Sequence, residues 1–172
     1  MKNDLEIVDI VDEKLNRLYQ KSKQEAHKKG LLHRTVIAEV INSQGEWLLV
    51  KQAADRQDPG KYVSPVGGHM RAGESEIDSL KRETEEELGF KKFTYKRIGQ
   101  VIYDRKVKDR QENHYFIIYE IYSDQKPMLN DESIAYKLFN VEKLKKQLKN
   151  NRKIFGDAFF PIIENFYQEF LA

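Results

Sequence analysis

GHMRAGESEIDSLKRETEEELGF, residues 68–90, is the stretch of sequence that decides the fold. Ser75 followed three positions later by Asp78 is a capping-box pattern, which predicts that a helix begins just after Ser75. Gly89 is typical of the residue that ends a helix. Between them, apolar or small side chains recur on one stripe at residues 77, 80, 84 and 88. The stretch therefore predicts a helix over residues 75–88 that docks one face on a sheet.

The same helix carries an acidic face beside its apolar stripe. Glu83, Glu86 and Glu87 are spaced i, i+3 and i+4, so their side chains lie together. Like charges at this spacing cost a few tenths of a kcal/mol per pair. A hard divalent cation such as Mg²⁺, which prefers oxygen ligands, would offset that repulsion. Taken alone, the three glutamates also fit a solvated surface, which is the expectation for Glu85 on the other side.

Residues around the acidic face strengthen the case for a site. Arg82 is adjacent to it, and Glu74 lies just before the helix. An ion pair between the two would orient the acidic face across the junction of loop and helix. Gly67 and Gly68 would let the backbone approach a metal ion or a phosphate closely, because glycine has no side chain to obstruct it.

The spacing of these residues resembles the complete Nudix box. Gly68 is followed after five residues by Glu74, and after seven more by the run RETEEELGF from Arg82 to Phe90. Only Thr84 departs from the pattern, at a position that is usually aliphatic in the family. The resemblance implies an α/β fold of the α+β type. It would be an α/β/α sandwich in which a mixed sheet lies between helices and the box forms a loop–helix–loop.

The resemblance also implies the chemistry. Glu83, Glu86 and Glu87 would bind Mg²⁺, or Mn²⁺ as a substitute, with the Gly67 carbonyl as a further ligand. Arg82, Glu74 and Gly68 would position the site. The implied activity is a magnesium-dependent pyrophosphohydrolase that cleaves a phosphoanhydride bond in a nucleotide or a nucleoside diphosphate-linked substrate. Glu112 is our candidate for the base that activates water, with Glu120 and Glu132 as rivals.

A wider resemblance covers roughly residues 5–140. The segments EAHKKGLLHR (residues 25–34) and NSQGE (residues 42–46) are similar to the isopentenyl-diphosphate isomerase-like branch of Nudix proteins. Isomerases of this branch hold a metal through histidines and glutamates outside the box. His27, His33 and His69 lie near those histidine positions, and Glu112 and His114 near the glutamate pair. One hypothesis is a second metal site at His27, His33 and His69. The alternative is that His27 and His33, on either side of Gly30, only cap or pack around that turn.

Isomerase activity itself is disfavoured. The isomerases use a cysteine two residues before the His69 position, where this chain has Gly67, and the chain contains no cysteine at all. His114 also stands where a catalytic glutamate is expected. A catalytically silent nucleotide-binding regulator is the alternative from another functional class. Loss of box carboxylates would mark such a protein, and none is lost here.

Composition sets the outer limits. A chain of 172 residues with 40% hydrophobic residues suits one domain, which we place at residues 31–172 with residues 1–30 as an N-terminal extension packed on it. A net charge of +2 gives no argument for nucleic acid or an anionic membrane. The absence of cysteine, of a signal peptide and of a membrane-length apolar run predicts a cytoplasmic protein.

Local patterns predict the remaining elements. Strands are expected at residues 6–11, 35–41, 47–50, 100–103, 114–122 and 136–139, and helices at residues 23–29, 141–149 and 158–170, the last with Asp157 as its N-cap. Aromatic residues of the final segment either cover the core or form a homodimer contact. The basic residues Arg105, Lys106, Lys108 and Arg110 are either a solvated loop or an attractor of substrate phosphates at the mouth of a cleft.

Overall fold

The computed structural model describes residues 6–107 and 110–172. The strands are β1 (Ile7–Val11), β2 (Arg17–Ser22), β3 (His33–Ile41), β4 (Trp47–Gln52), β5 (Tyr62–Val63), β6 (Val66–His69), β7 (Thr94–Val107), β8 (Arg110–Tyr122) and β9 (Ser133–Phe139). The helices are α1 (Lys23–Lys29), α2 (Glu76–Leu88), α3 (Val141–Asn150) and α4 (Phe159–Phe166), with short 3-10 turns at Arg152–Ile154 and Gln168–Phe170.

Strand β3 is the hub of a single mixed sheet. It pairs antiparallel with β1, β4 and β6, and parallel with β8 along its whole length, from His33 opposite His114 to Ile41 opposite Tyr122. Residues 35–40 are buried, as expected of a strand that is covered on both faces. Everything that the sheet positions is therefore placed relative to β3.

Alternation along β3 divides the interior into two hydrophobic cores. Val36, Ala38 and Val40 point to the face covered by α2, where Leu80 and Leu88 pack against them. Ile37 points to the opposite face, which is covered by α3, α4 and the C-terminal turn. The arrangement is an α/β/α sandwich built on a mixed sheet, because successive side chains of a strand face opposite sides.

Helix α2 forms where its caps predict it. The Ser75 hydroxyl accepts a hydrogen bond from the Asp78 amide at 3.1 Å, and Gly89 ends the helix in the left-handed region at φ 73°. Thr84, the position that departs from the aliphatic pattern, is wholly buried, and its hydroxyl donates to the Leu80 carbonyl at 2.6 Å. That bond satisfies the hydroxyl, so the substitution leaves no unpaired polar group in the core.

Three local expectations differ from the structure. Strand β2, which was not predicted, is an edge strand with mostly exposed residues. Strand β7 extends well beyond the predicted residues 100–103. The final helix ends at Phe166, and its N-cap is Ala158 without a side-chain bond, so the Asp157 cap prediction was wrong. The Asp157 carboxylate lies 3.8 Å from the Lys61 ammonium group, an ion pair across the chain.

The N-terminal segment is continuous with the sheet. Strand β1 meets β3 where Ile10 pairs with His33, and it also contacts the loop before α2. The Ala72 amide donates to the Ile7 carbonyl at 2.8 Å, and the Gly73 amide donates to the buried Asp9 carboxylate at 2.8 Å. Residues 6–30 thus hold the loop that leads into α2.

No helix in residues 6–107 and 110–172 is long and apolar enough to cross a membrane.

The C-terminal aromatic residues pack into the core, which generates a stability prediction. Phe159 is 1% exposed and contacts the sheet through the cluster that contains Ile37. Phe159→Ala should lower the free energy of unfolding by roughly 3–5 kcal/mol, the cost of a large buried cavity. Urea unfolding followed by circular dichroism measures it. Phe160→Ala, at a partly exposed neighbour, is the control and should cost clearly less; equal losses would contradict this packing.

Candidate functional site

The acidic face of α2 is partly buried. Glu83 is 2% exposed and Glu87 is 7% exposed, whereas Glu86 reaches solvent. Arg82 lies 2.5 Å from the Glu83 carboxylate and 3.6 Å from that of Glu86. Arg71 also lies 3.8 Å from the Glu86 carboxylate, so two guanidinium groups lie beside three carboxylates and the face carries more carboxylates than arginines. An oxygen-rich, negatively charged donor set of this kind fits Mg²⁺.

Arg82 fixes the acidic face to the preceding loop. Its Nε and Nη2 atoms each donate to one oxygen of Glu74 at 2.8 Å, and Nη2 also donates to the His69 carbonyl at 3.1 Å. Burial opposes ionisation of Glu74, yet the hydrogen bond from Arg82 holds the pKa of this carboxyl below its usual value. The predicted pair between Arg82 and Glu74 is confirmed, and its two-pronged geometry orients the helix more tightly than a single contact would.

Gly68 and Gly67 have different steric roles. A β-carbon on Gly68 would lie 1.9 Å from the carboxyl carbon of Glu83, so only glycine leaves room for that carboxylate. A β-carbon on Gly67 would meet nothing nearer than Ile37 at 4.0 Å. The glycine requirement therefore lies at Gly68, which forms a cradle under Glu83, and this cradle supports the fit of a metal ion to the face.

Gly67 and Glu87 both line a cavity of about 130 Å³. Arg105 and Glu132 line the same cavity, together with Gln52, Asp58, Ser64 and part of α4. The Asn130 side chain donates to the Glu87 carboxylate at 3.1 Å. The cavity thus contains one carboxylate of the acidic face, Glu87, and a guanidinium, Arg105, which also pairs with Asp58 at 3.5 Å and whose shape matches a phosphate group.

The three candidate bases lie in different surroundings. Glu112 is 1% exposed and pairs with Arg105 at 3.2 Å and with Arg110 at 3.3 Å. Glu120 accepts a hydrogen bond from Tyr167 at 2.7 Å. Of the three, only Glu132 belongs to the cavity lining that includes Glu87.

The predicted basic residues that the structure describes do not form a single patch. Arg105 lines the cavity, whereas Arg110 contacts Glu112 from the outer side and Lys106 is exposed. Lys108 lies outside the described residues.

All four histidines of the chain converge in a second cluster. They come from α1 (His27), the start of β3 (His33), the end of β6 (His69) and β8 (His114), and their ligand atoms lie within 4.8 Å of one another. The Nε2 atoms of His27, His69 and His114 are 3.1–3.2 Å apart. Ring nitrogens at these separations can share one metal ion with tetrahedral geometry.

The protonation of the cluster suits metal binding. The Nδ1 atom of His33 lies 2.7 Å from the Leu31 carbonyl, which turns Nε2 inward; that atom is buried and has no hydrogen-bond partner among the described residues. Burial lowers the pKa of all four rings, to about 3 for His27, and neighbouring histidines lower the pKa further for His27, His69 and His114. Four neutral imidazoles near pH 7 offer nitrogen lone pairs, which are donors that suit zinc, copper, iron and nickel ions.

The resemblance placed all four histidines near metal-ligand positions of the isomerases, with His114 at a glutamate position, but the predicted second metal site contained only His27, His33 and His69. The parallel register of β3 and β8 puts His114 directly opposite His33 and makes it the fourth member. No local pattern signals that contact, since it depends on strands about 80 residues apart in the chain.

Comparison with known proteins identifies the family. The model of the Nudix domain family matches residues 31–159, most of the chain. The chain belongs to the Nudix family. The match starts at the residue after the Gly30 turn and contains the whole box, so the family prediction made from residues 68–90 is confirmed.

Individual Nudix relatives agree with this assignment. The isopentenyl-diphosphate Delta-isomerase 2 of Photorhabdus laumondii is 30% identical over 168 residues, covering 95% of this chain and 94% of that protein. An uncharacterised Nudix hydrolase of Yersinia pestis is 35% identical over 102 residues, which cover 58% of this chain and 56% of that protein. The predicted isomerase-like branch is therefore confirmed, in a chain without the isomerase cysteine.

Solved structures support the Nudix fold. A protein from Deinococcus radiodurans superimposes with a TM-score of 0.72, at 20% identity, and covers 92% of this chain and 98% of its own. A MutT protein from Methanosarcina mazei gives a TM-score of 0.64 and covers 82% and 96%. The predicted mixed sheet between helices is thus confirmed.

The Gly68 cradle yields a prediction that separates fold from metal binding. Gly68→Ala should displace the Glu83 carboxylate and weaken Mg²⁺ binding at least about tenfold, the scale of losing a group that orients a ligand. Isothermal calorimetry measures the affinity. Gly67→Ala, where the new methyl group has room, is the matched control for stability and should unfold at nearly the wild-type temperature. Wild-type Mg²⁺ affinity in Gly68→Ala would contradict the cradle.

Proposed function

We propose that this Nudix protein is a magnesium-dependent hydrolase that cleaves a phosphoanhydride bond in a nucleotide or a nucleoside diphosphate-linked substrate. The observation that carries the proposal is the shared cavity, whose lining includes Glu87, Gly67 and Arg105. A metal-binding face and a fixed guanidinium in one cavity match the two needs of a pyrophosphate group, which are charge neutralisation and orientation.

The metal ligands in this proposal are Glu83, Glu86, Glu87 and the carbonyl of Gly67. Bound there, Mg²⁺ would screen phosphate charge and lower the pKa of a coordinated water. Arg82 and Glu74 hold α2 in position, as their paired hydrogen bonds indicate. Gly68 keeps the space that Glu83 needs.

The remaining roles concern the substrate and the attacking water. Arg105 binds a phosphate oxygen, and Glu112 acts on it indirectly, because its carboxylate holds Arg105 in place at 3.2 Å. Glu112 remains our sequence-based candidate for the base. Glu132 is the rival that the cavity supports, because it lines the same cavity as Glu87, where its carboxylate also pairs with Arg56 at 3.5 Å. The proton taken from the attacking water would pass to the carboxylate that acts as the base.

Substrate class is inferred from the relatives as well as the cavity. A nucleoside triphosphatase of Klebsiella pneumoniae, NudI, is 32% identical over 123 residues and covers 66% of this chain and 86% of that protein. This likeness supports nucleotides as substrates. Isopentenyl diphosphate isomerisation is the alternative, suggested by the full-length relative, and Gly67 in place of the cysteine argues against it.

Glu87→Gln should reduce turnover at least about 100-fold, because it removes a charge that stabilises the transition state. The assay is release of phosphate or pyrophosphate from a panel of nucleoside di- and triphosphates, nucleotide sugars and dinucleotides with Mg²⁺. Glu85→Gln, on the outer side of the same helix with 56% of its side chain exposed, is the matched control and should retain wild-type turnover.

Three results would reject the proposal. Full activity in Glu87→Gln would reject the site. Binding without turnover of any phosphoanhydride by the wild type would favour a silent nucleotide-binding regulator. Isomerisation of isopentenyl diphosphate would favour the alternative enzyme.

A second metal centre at the four histidines is supported by a separate observation. Glu112 is the carboxylate that the isomerase resemblance places beside the histidines, but its oxygens already contact Arg105, Arg110 and Gln57. The four imidazoles would then supply four nitrogen donors to one metal ion without a carboxylate. Such a closed set is typical of structural zinc-type sites, while the carboxylates of α2 prefer Mg²⁺. The two centres would therefore take different metals.

The expected result is one tightly bound Zn²⁺ per chain, with a raised unfolding temperature because the ion binds the folded state. His114→Ala should weaken zinc binding at least about tenfold. Glu112→Gln should keep the zinc affinity within about threefold, since that carboxylate lies outside the donor set. Competition with a chromophoric chelator measures both affinities. Equal affinity in His114→Ala and wild type, or loss in Glu112→Gln, would rule out the four-histidine set.

A further inference from the structure

A buried glutamate that the proposed chemistry does not use lies behind the cavity. Glu39 is in the middle of β3, between Ile37 and Ile41 on the face covered by the C-terminal helices, and is 0% exposed. Its Oε1 atom accepts a hydrogen bond from the Ser64 hydroxyl at 2.6 Å. Its Oε2 atom is buried and has no hydrogen-bond partner among the described residues. A carboxyl group in such a place is costly to keep ionised.

The surroundings of Glu39 favour its neutral form. Glu120 lies directly opposite on β8 in the parallel register, and its carboxylate accepts hydrogen bonds from the hydroxyls of Tyr167 and Tyr122. Burial, followed by the charge of Glu120, raises the pKa of Glu39 to about 7, although the bond from Ser64 works in the other direction.

Ser64 connects this carboxyl group to the cavity. It lies between β5 and β6, it is partly exposed, and it lines the cavity together with Glu87 and Arg105. A hydroxyl group has one hydrogen to donate and lone pairs that accept. When Glu39 is ionised, Ser64 donates its hydrogen inward and leaves its lone pairs for the cavity. When Glu39 is protonated, Glu39 can donate to Ser64, whose hydrogen then points into the cavity.

We propose that Glu39 is a positioning residue that sets, through Ser64, whether the cavity offers its substrate a hydrogen-bond acceptor or a donor. The protonated form suits a carbonyl or phosphoryl oxygen of the substrate, and the ionised form suits an amino or hydroxyl group. Glu39 does not touch the substrate; its effect on specificity passes through one hydroxyl. This inference rests on the proposed function, because it takes the cavity as the substrate site.

The first part of the test needs no ligand. The ¹³C signals of the glutamate carboxyl groups are followed against pH in the intact protein, and the Glu39 signal is assigned from its loss in Glu39→Gln. It should titrate near neutral pH. Ser64→Ala should move the midpoint upward by about one pH unit, since it removes a bond that stabilises the ionised form. Glu142→Gln, at an exposed residue of α3, is the matched control and should leave the midpoint unchanged.

The second part measures binding without turnover. The probe is the non-hydrolysable α,β-methylene analogue of ADP with Mg²⁺, titrated by calorimetry at roughly pH 6 and pH 8, on either side of the titration. The contribution of Glu39 to the wild-type Kd should change between the two by on the order of fivefold, the worth of one hydrogen bond. The terminal phosphate of the probe also titrates in this range, so the readout is the ratio of variant to wild-type Kd at each pH: it should change by about fivefold between the two for Glu39→Gln and Ser64→Ala and stay constant for Glu142→Gln.

Two results overturn the inference. One is a Glu39 carboxyl that titrates in the ordinary acidic range, or whose titration midpoint does not change in Ser64→Ala. The other is a ratio of Glu39→Gln to wild-type Kd that is the same at both pH values. Failure of the proposed function is distinguishable: a protein that shows both expected effects but hydrolyses no phosphoanhydride contradicts the hydrolase alone.

Discussion

The parallel pairing of β3 with β8 is the constraint on which the rest of the molecule depends. Its register sets His33 against His114 and Glu39 against Glu120, and the same two strands supply both hydrophobic cores. Parallel strands cannot be joined by a tight turn, so this contact forms only when the chain between them has folded. The histidine cluster, and the buried carboxyl behind the cavity, are consequences of one long-range register.

The features that were predicted from sequence are those with local causes. Helix α2 carries its own caps, its apolar stripe and its acidic face within residues 75–89, so its bounds and its pair with Glu74 followed from spacing. Strands β2 and β7 gave weaker signals, because neither contains a fully buried residue and their sequences are rich in charged and polar side chains. His114 was left out of the predicted three-histidine site for a different reason. Its partners come from three other elements, and only the assembled sheet brings them together.

Glu39 shows the limit of pattern reading most clearly. In sequence it is a charged residue within the predicted strand at residues 35–41, and nothing in that strand shows whether its face is covered. In the structure that face is covered by α3, α4 and the C-terminal turn, because the apolar residues that form this cover lie more than 100 positions later. A pattern can show which residues share a side of a strand; it cannot show whether anything covers that side.

Strand β6 is only four residues long, yet each of its last three residues serves a different part of the molecule. Gly67 borders the cavity, Gly68 lies beneath Glu83, and His69 contributes a ring to the histidine cluster while its carbonyl receives Arg82. A deletion or insertion of one residue here would turn every side chain to the opposite face. A substitution in β6 can therefore change one of the two proposed metal sites alone, whereas an insertion or deletion in this strand would disrupt both at once.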